Sequence, residues 1–247
     1  MKIALVGYGR MGRAVEQAAQ ARGHEIVARL DVEGNREGRG LTVEWLAGAE
    51  VAIEFTVAEV VPANIAGLAA CGVDAVVGTT GWYGQLDEAR RAVEAAGTGL
   101  IYAPNFSLGV QCFFQLARLA GQLCDRLEDY DVYVLEAHHR HKRDHPSGTA
   151  RKLASMLVEE VDCKQRWELG LVEGPVDPAV LQVTSIRAGE IPGVHSVGLE
   201  GPDDRIELRH EARGRSGFAR GAVAAAEWIR GRKGVFTLED MLAELWS

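Results

Sequence analysis

Lys2-Ile3-Ala4-Leu5-Val6-Gly7-Tyr8-Gly9-Arg10-Met11-Gly12 runs from four consecutive apolar residues into the pattern G-x-G-x-x-G. Ile3–Val6 has the length and composition of a buried strand. From Arg10 the period changes: Met11, Val15, Ala18 and Ala19 fall on one helical face, and Gly23 ends it. A strand, a glycine turn and a helix in direct succession are the setting in which this pattern holds a dinucleotide. Gly7 permits the tight turn, Gly9 lets backbone approach a pyrophosphate, and Gly12 lets helix and strand pack closely. The helix N-terminus presents free N–H groups and the positive end of a dipole to the phosphates. Tyr8, Arg10 and Met11 lie between the glycines and join them as candidate cofactor contacts.

Outward from this unit the alternation continues. Glu25–Leu30, Val51–Phe55, Asp74–Val77 and Leu100–Ala103 read as strands, with helical segments near Pro62–Cys71 and Leu86–Ala96. Strands alternating with helices predict a Rossmann-type, doubly wound parallel sheet covered on both faces. After Asn105 the pattern changes. A long helix is expected from about Leu108 to Leu127, a strand over Asp131–Ala137, and a helix over about Thr149–Val161. Three strands then follow without helices between them, Gln182–Ile186, Val194–Leu199 and Arg205–His210. That succession implies a second, α+β domain with its own sheet. The expected organisation is therefore a dinucleotide-binding domain over 1–107, completed by C-terminal helices in 216–247, and a substrate and oligomerisation domain over 108–215.

Composition narrows the partners. The 247 residues are 47% hydrophobic and 25% charged, with a formal net charge of −8. An acidic balance argues against nucleic acid or an anionic membrane as the main partner. No stretch approaches the ~20 apolar residues of a membrane helix. The first residues are too short for a signal peptide before the glycine turn begins. Cys71, Cys112, Cys124 and Cys163 form no C-x-x-C pair. They read as reduced thiols, and the expected location is the cytoplasm.

Asp31 follows the second strand, 19 residues beyond Gly12. An acid near that offset holds the ribose hydroxyls of an adenosine and repels a 2′-phosphate, so NADH is favoured and NADPH usable. The same residue also suits a plain strand-end turn. Arg10, Arg36 and Arg39 are near enough in sequence to reach a 2′-phosphate.

Residues 136–150, Glu136-Ala137-His138-His139-Arg140-His141-Lys142-Arg143-Asp144-His145-Pro146-Ser147-Gly148-Thr149-Ala150, hold four of the seven histidines within eight positions. Lys142 stands among them in a chain with five lysines among 27 basic residues. An ammonium can give up a proton where a guanidinium cannot. Ser147-Gly148-Thr149 precedes a helix, where hydroxyl and N–H groups cap the helix or hold a carboxylate. No metal is expected, because the neighbouring His138 and His139 diverge on an extended chain. One domain for a dinucleotide and another with proton donors beside an anion cradle imply hydride transfer to a small acidic substrate with C=N or C=C character.

The block Glu-Ala-His-His-Arg-His-Lys, then Asp, then Pro-Ser-Gly-Thr-Ala, resembles the signature of dihydrodipicolinate reductases. Gly78-Thr79-Thr80-Gly81, Asn105-Phe106-Ser107-Leu108-Gly109-Val110, Arg187, Gly193-Val194-His195 and Gly217-Phe218-Ala219 fit the same family. The resemblance implies His138 as proton donor or acceptor and Lys142 as second donor. It implies that His139, Gly148 and Thr149 bind a dicarboxylate substrate, helped by Ser147 and Lys142. Gly7–Gly12, Asp31, Gly78, Thr79, Thr80 and Ala103, Pro104, Asn105 and Phe106 would line the cofactor. It also implies a homotetramer built through sheets of the second domain. His145 departs from the pattern, standing where the family has a small alanine. Two other readings remain: a related Rossmann reductase of another cyclic imino acid, and a nucleotide-binding regulator without catalysis. The first should lack the full histidine block, and the second should tolerate loss of His138 and Lys142.

Overall fold

The computed structural model describes residues 1–127, 129–170 and 174–246, with the Arg36 side chain outside the described part. The chain divides into two compact units, residues 1–108 with 215–247, and residues 109–214. The first stretch runs β1 (Lys2–Val6), α1 (Arg10–Ala21), β2 (Glu25–Leu30), α2 (Val43–Leu46), β3 (Val51–Glu54), α3 (Val61–Ala70), β4 (Asp74–Val77), α4 (Leu86–Ala96) and β5 (Gly99–Tyr102). Next come α5 (Leu108–Cys124), β6 (Asp131–His138), α6 (Gly148–Glu160), β7 (Arg166–Leu169), β8 (Val180–Arg187), β9 (Val194–Glu200) and β10 (Arg205–Glu211). The chain ends with α7 (Ser216–Ile229), β11 (Gly234–Thr237) and α8 (Leu238–Leu245).

In the first unit six strands lie in the order β11-β5-β4-β3-β1-β2. Every pairing is parallel. Both faces are buried, which is why β1, β3 and β4 are apolar apart from one charged residue at an end of each. Ile3, Leu5 and Ile53 pack with Val15 and Ala19 of α1 and Ala222, Val223 and Ala226 of α7 on one face. Ala4, Val6 and Val77 pack with Ile65 and Leu68 of α3 and Val93 of α4 on the other. The strand order reverses between β1 and β3, and in such sheets ligands bind at the carboxyl ends of the strands beside that reversal.

One expectation needs correction here. Residues 216–247 are not helix alone, because Gly234–Thr237 forms β11 and pairs with β5. Four residues starting on glycine give no period of their own. The next helix starts sharply at a capping box, in which the Thr237 side chain accepts from Asp240 N and the Asp240 side chain from Thr237 N.

The second unit carries a five-stranded mixed sheet, β10-β9-β6-β8-β7. β10, β9 and β6 pair antiparallel, while β6, β8 and β7 pair parallel. Val132 and Val134 of β6, Leu181 and Val183 of β8 and Val197 and Leu199 of β9 turn the same way and pack under Phe113, Phe114 and Ala117 of α5 and Leu153 and Leu157 of α6. The helix expected to reach Leu127 ends at Cys124, and β7 is an added edge strand.

Candidate active site

The first site is a cleft of about 510 Å³ lined by Met11, Phe55, Thr56, Val57, Ala58, Glu59, Gly78, Thr79 and Thr80. That volume is within the usual range for a small-molecule site. It opens at the carboxyl ends of β3 and β4, beside the glycine turn that ends β1. The turn has the shape a dinucleotide requires. Gly7 sits at φ +91°, and a Cβ there would overlap the Phe55 carbonyl. A Cβ on Gly12 would lie 2.2 Å from the Gly7 carbonyl oxygen, whereas one on Gly9 would meet nothing within 4 Å. Two glycines close the backbone together, and the third leaves open space where a pyrophosphate would approach. Gly9, the N-cap of α1, offers no side chain to the first N–H groups of the helix.

Of the expected cofactor residues, Met11, Gly78, Thr79 and Thr80 line this cleft. Gly78 donates to the Glu54 carbonyl, and Thr79 is buried with its hydroxyl accepting from Thr56 N at 2.7 Å. Thr80 is exposed. Ala103 follows β5 and donates to Val77, while Asn105 accepts from Ser107 N. Pro104 is exposed, and Phe106 lies in the core, so any contact from it to a cofactor runs through its backbone. Tyr8 donates to Glu16, which also pairs with Arg29. Asp31 lies just past β2 and is exposed. Its carboxylate accepts from Val32 N, and its carbonyl accepts from Gly34 N and Asn35 N. It therefore shapes the turn that follows β2. Arg39 is exposed and pairs with Glu37, and the Arg36 side chain, named above as a candidate for the 2′-phosphate, lies outside the described residues.

Beneath the cleft sits Glu54, fully buried, accepting from Thr56 and Asn64 with its Oε2 unpartnered. Burial raises its pKa against those hydrogen bonds. Sequence reasoning did not single out Glu54, Phe55 or Thr56. The signal available was an acid at the end of an otherwise apolar strand.

The second site occupies the carboxyl ends of β6 and β8. Period-two alternation carries Glu136 and His138 onto the face of β6 that holds Val132 and Val134. Register then sets Ser185 of β8 and His195 of β9 opposite Glu136, and Arg187 opposite His138. Glu136 is completely buried, and its carboxylate accepts from His138 Nδ1, Ser147 N at 3.2 Å, Ser185 Oγ at 2.7 Å and Arg187 Nη2 at 2.7 Å. Burial works to raise its pKa, but His138 and Arg187 outweigh it and hold the carboxyl far below the usual range. His195 is pushed down to about 3, first by burial and then by His138, and so is neutral at ordinary pH. Its Nε2 is 2.9 Å from Ser147 Oγ.

Lys142 reaches Asp144 at 2.8 Å. Burial would raise the Asp144 carboxyl, but Lys142 and the Gly148 N–H lower it on balance. Ser147 is the N-cap of α6, accepting from Ala150 N. Its hydroxyl is buried between that bond and His195. Gly148 and Thr149 lie at the more open first turn. His139 is half-buried, with Nδ1 lacking a hydrogen-bond partner. The structure thus brings His138, Ser147 and Glu136 into one network, and joins Lys142 to the start of α6 through Asp144. Glu136, His138 and His195 offer ligand atoms within 4.8 Å of one another. Arg187 and Ser185 already occupy Glu136, and Ser147 engages His195, so the trio works as a hydrogen-bond network.

A parallel sheet with a dinucleotide turn, and a second unit with a buried carboxylate–histidine pair beside a helix N-terminus, define a pyridine-nucleotide oxidoreductase of the Rossmann class. Comparison with known proteins names the family. Sequence models for the N-terminus and the C-terminus of dihydrodipicolinate reductase match residues 1–106 and 109–242. The chain belongs to the dihydrodipicolinate reductase family. A 4-hydroxy-tetrahydrodipicolinate reductase of Christiangramia forsetii is 38% identical, with all of both chains covered. One from Archaeoglobus fulgidus is 37% identical over 98% of this chain and all of its own. The dipicolinate-bound dihydrodipicolinate reductase of Paenisporosarcina sp. TG-14 superposes with a TM-score of 0.76 at 25% identity, covering 97% of this chain and 98% of that one.

Proposed function

We propose that this protein reduces 4-hydroxy-tetrahydrodipicolinate to tetrahydrodipicolinate, with NADH preferred and NADPH usable. The observation that carries the reading is the network at the end of β6, where a buried, ionised Glu136 holds His138 next to the capped start of α6. Gly7, Gly9, Gly12 and the uncapped start of α1 fit a pyrophosphate, and Asp31 stands where the ribose hydroxyls of NADH fall. When bound there, the reduced nicotinamide supplies a hydride. The chain's own residues supply the rest. Lys142 and the α6 N-terminus at Gly148 and Thr149 hold the ring carboxylates and orient them. His139 contributes to substrate binding. Ser147, whose hydroxyl has two protein partners, acts by fixing the cap. Loss of the 4-hydroxyl as water gives the dihydrodipicolinate ring; His138 then gives the proton that balances the hydride at the reduced C=C or C=N bond, and Lys142 is the second donor.

The domain roles follow as part of this reading: the dinucleotide on 1–107 with 216–247, the substrate on 108–215. The reading carries a cytoplasmic homotetramer with it. Support for assembly through the second sheet is the face of that sheet bearing Tyr133, Leu135 and Ile186, the last exposed. No helix among the described residues is long and apolar enough to cross a membrane. The test is steady-state oxidation of NADH with substrate generated in place by the upstream synthase, repeated with NADPH. Substrate-dependent oxidation, inhibited by pyridine-2,6-dicarboxylate, is expected. Oxidation that ignores the substrate would refute the proposal, and a clear preference for NADPH would refute its cofactor half.

A further inference from the structure

We infer that Glu136 is a positioning residue for the proton transfer: it fixes His138 as the Nδ1–H tautomer, sets how readily that ring becomes cationic, and ties it to the carboxylate cradle at α6. The inference rests on the reading of His138 as the proton donor, and goes beyond it by assigning a residue that need not touch substrate or cofactor.

Glu136 has no solvent contact, and a buried carboxylate persists only where donors replace water. Four surround it, from four places in the chain: His138 Nδ1, the Ser147 N–H, the Ser185 hydroxyl and Arg187. An anion in that setting cannot donate, so the ring nitrogen facing it must carry the proton. His138 Nε2 is then the other face of the ring. Gly193 passes close to it, where an added Cβ would stand 3.1 Å from Nε2. A ring locked at Nδ1 by a carboxylate and presented at Nε2 is oriented for proton transfer without a search over tautomers. Oε1 also accepts from Ser147, the N-cap of α6, so one carboxylate sets the acid and the start of the substrate cradle together.

The other charged and titratable groups around His138 set the sign of the effect. Arg187 of β8 is cationic and bonded to the same carboxylate. His195 of β9 lies edge-on, with ring centroids 5.1 Å apart, and stays neutral. His210 of β10 stands opposite His195 and is also lowered by burial. Lys142 in the loop after β6 is a further cation whose charge acts on His195. With Glu136 removed, the protonated form of His138 loses the carboxylate hydrogen-bonded to it, while Asp144 of the following loop stays paired with Lys142.

The test uses the full chain and three variants, Glu136→Gln, Glu136→Asp and His138→Ala. The readout is the pH at which kcat/KM falls on the alkaline side. In Glu136→Gln this fall should move down by about 1 pH unit or more, the size of shift an adjacent opposite charge produces. Glu136→Asp, which keeps the charge, should recover most of it. NADH affinity should not change, and pyridine-2,6-dicarboxylate should still bind, because a glutamine oxygen can accept from Ser147. An unshifted pH profile in Glu136→Gln, with His138→Ala inactive, overturns the role of Glu136 and leaves that of His138 standing. Full turnover in His138→Ala overturns both. Should Glu136→Gln fail to fold, imidazole nitrogen NMR of the unsubstituted protein decides, with His138→Ala giving the assignment. Neutral His138 must show Nδ1 protonated and Nε2 bare; the reverse tautomer overturns the inference.

Discussion

Asp31 is tied into the turn after β2 by its side chain and its backbone alike. Its carboxylate accepts from Val32 N, and its carbonyl closes the turn to Gly34 and Asn35, so substitution touches the loop as well as any ribose contact. Asp31→Ala should lower kcat/KM with NADH and raise it with NADPH, since a carboxylate no longer meets the 2′-phosphate. The two efficiencies, measured at one ionic strength, check this, and an unchanged ratio means that Asp31 does not govern the choice. The three glycines were legible from sequence because their demands are local: a positive φ at Gly7 and a Cβ-free approach at Gly12. His138 and Lys142 stood out through the density of the block around them. The roles of Glu136, Ser185, Arg187 and His195 did not, although Glu136 opened that block and Arg187 and His195 fitted the family pattern. The hydrogen bonds that bring Ser185, Arg187 and His195 into the network span 48 to 51 residues and depend on the register of β8 and β9 against β6, which no local pattern reports.

At the scale of elements, α1 and α6 do parallel work with their N-termini, by different means. α1 begins at Gly9 without a side-chain cap, which the proposed pyrophosphate contact requires; α6 begins with Ser147 in the cap. Gly12→Ala would drive a methyl into the Gly7 carbonyl, so the turn must open. NADH affinity should fall at least tenfold while pyridine-2,6-dicarboxylate still binds, as titration of each would show. Ser147→Ala removes the cap of α6 and the partner of His195. A lost cap costs about 1 kcal/mol, which in a chain of this size lowers Tm by roughly 2–4 °C. Calorimetry measures this, and an unchanged Tm would mean that the cap bond adds nothing. Strands buried on both faces and amphipathic helices announced themselves through their periods. The edge strands β7 and β11 did not, since each has four residues and only one neighbour, so neither length nor a fully buried face marks it.

For the whole molecule, the buried titratable groups predict how stability follows pH. Folded His195 titrates near 3, and the unfolded residue near 6.5. As pH falls below 6.5 the unfolded chain binds the proton first, so stability drops across this window, and His210 acts in the same direction. Below 4.5 the unfolded Glu136 also takes up a proton while the folded one stays ionised, and the loss steepens. Glu54, raised by burial, has the opposite sign: it favours the folded state at low pH and loses that contribution as pH rises. Melting curves of the unsubstituted protein and of His195→Asn between pH 7 and pH 4.5 isolate the first effect. The variant should show the flatter dependence, and equal slopes would mean that His195 is not the source.

The central proposal is cofactor binding on the first unit and proton transfer on the second. It is tested most directly by measuring kcat and the NADH dissociation constant on one variant, His138→Ala. A general acid contributes about 10²–10⁴-fold, so kcat should fall by that factor while the affinity for NADH stays as it was. Turnover near the unsubstituted rate, or a loss of activity matched by a loss of NADH binding, would contradict the account.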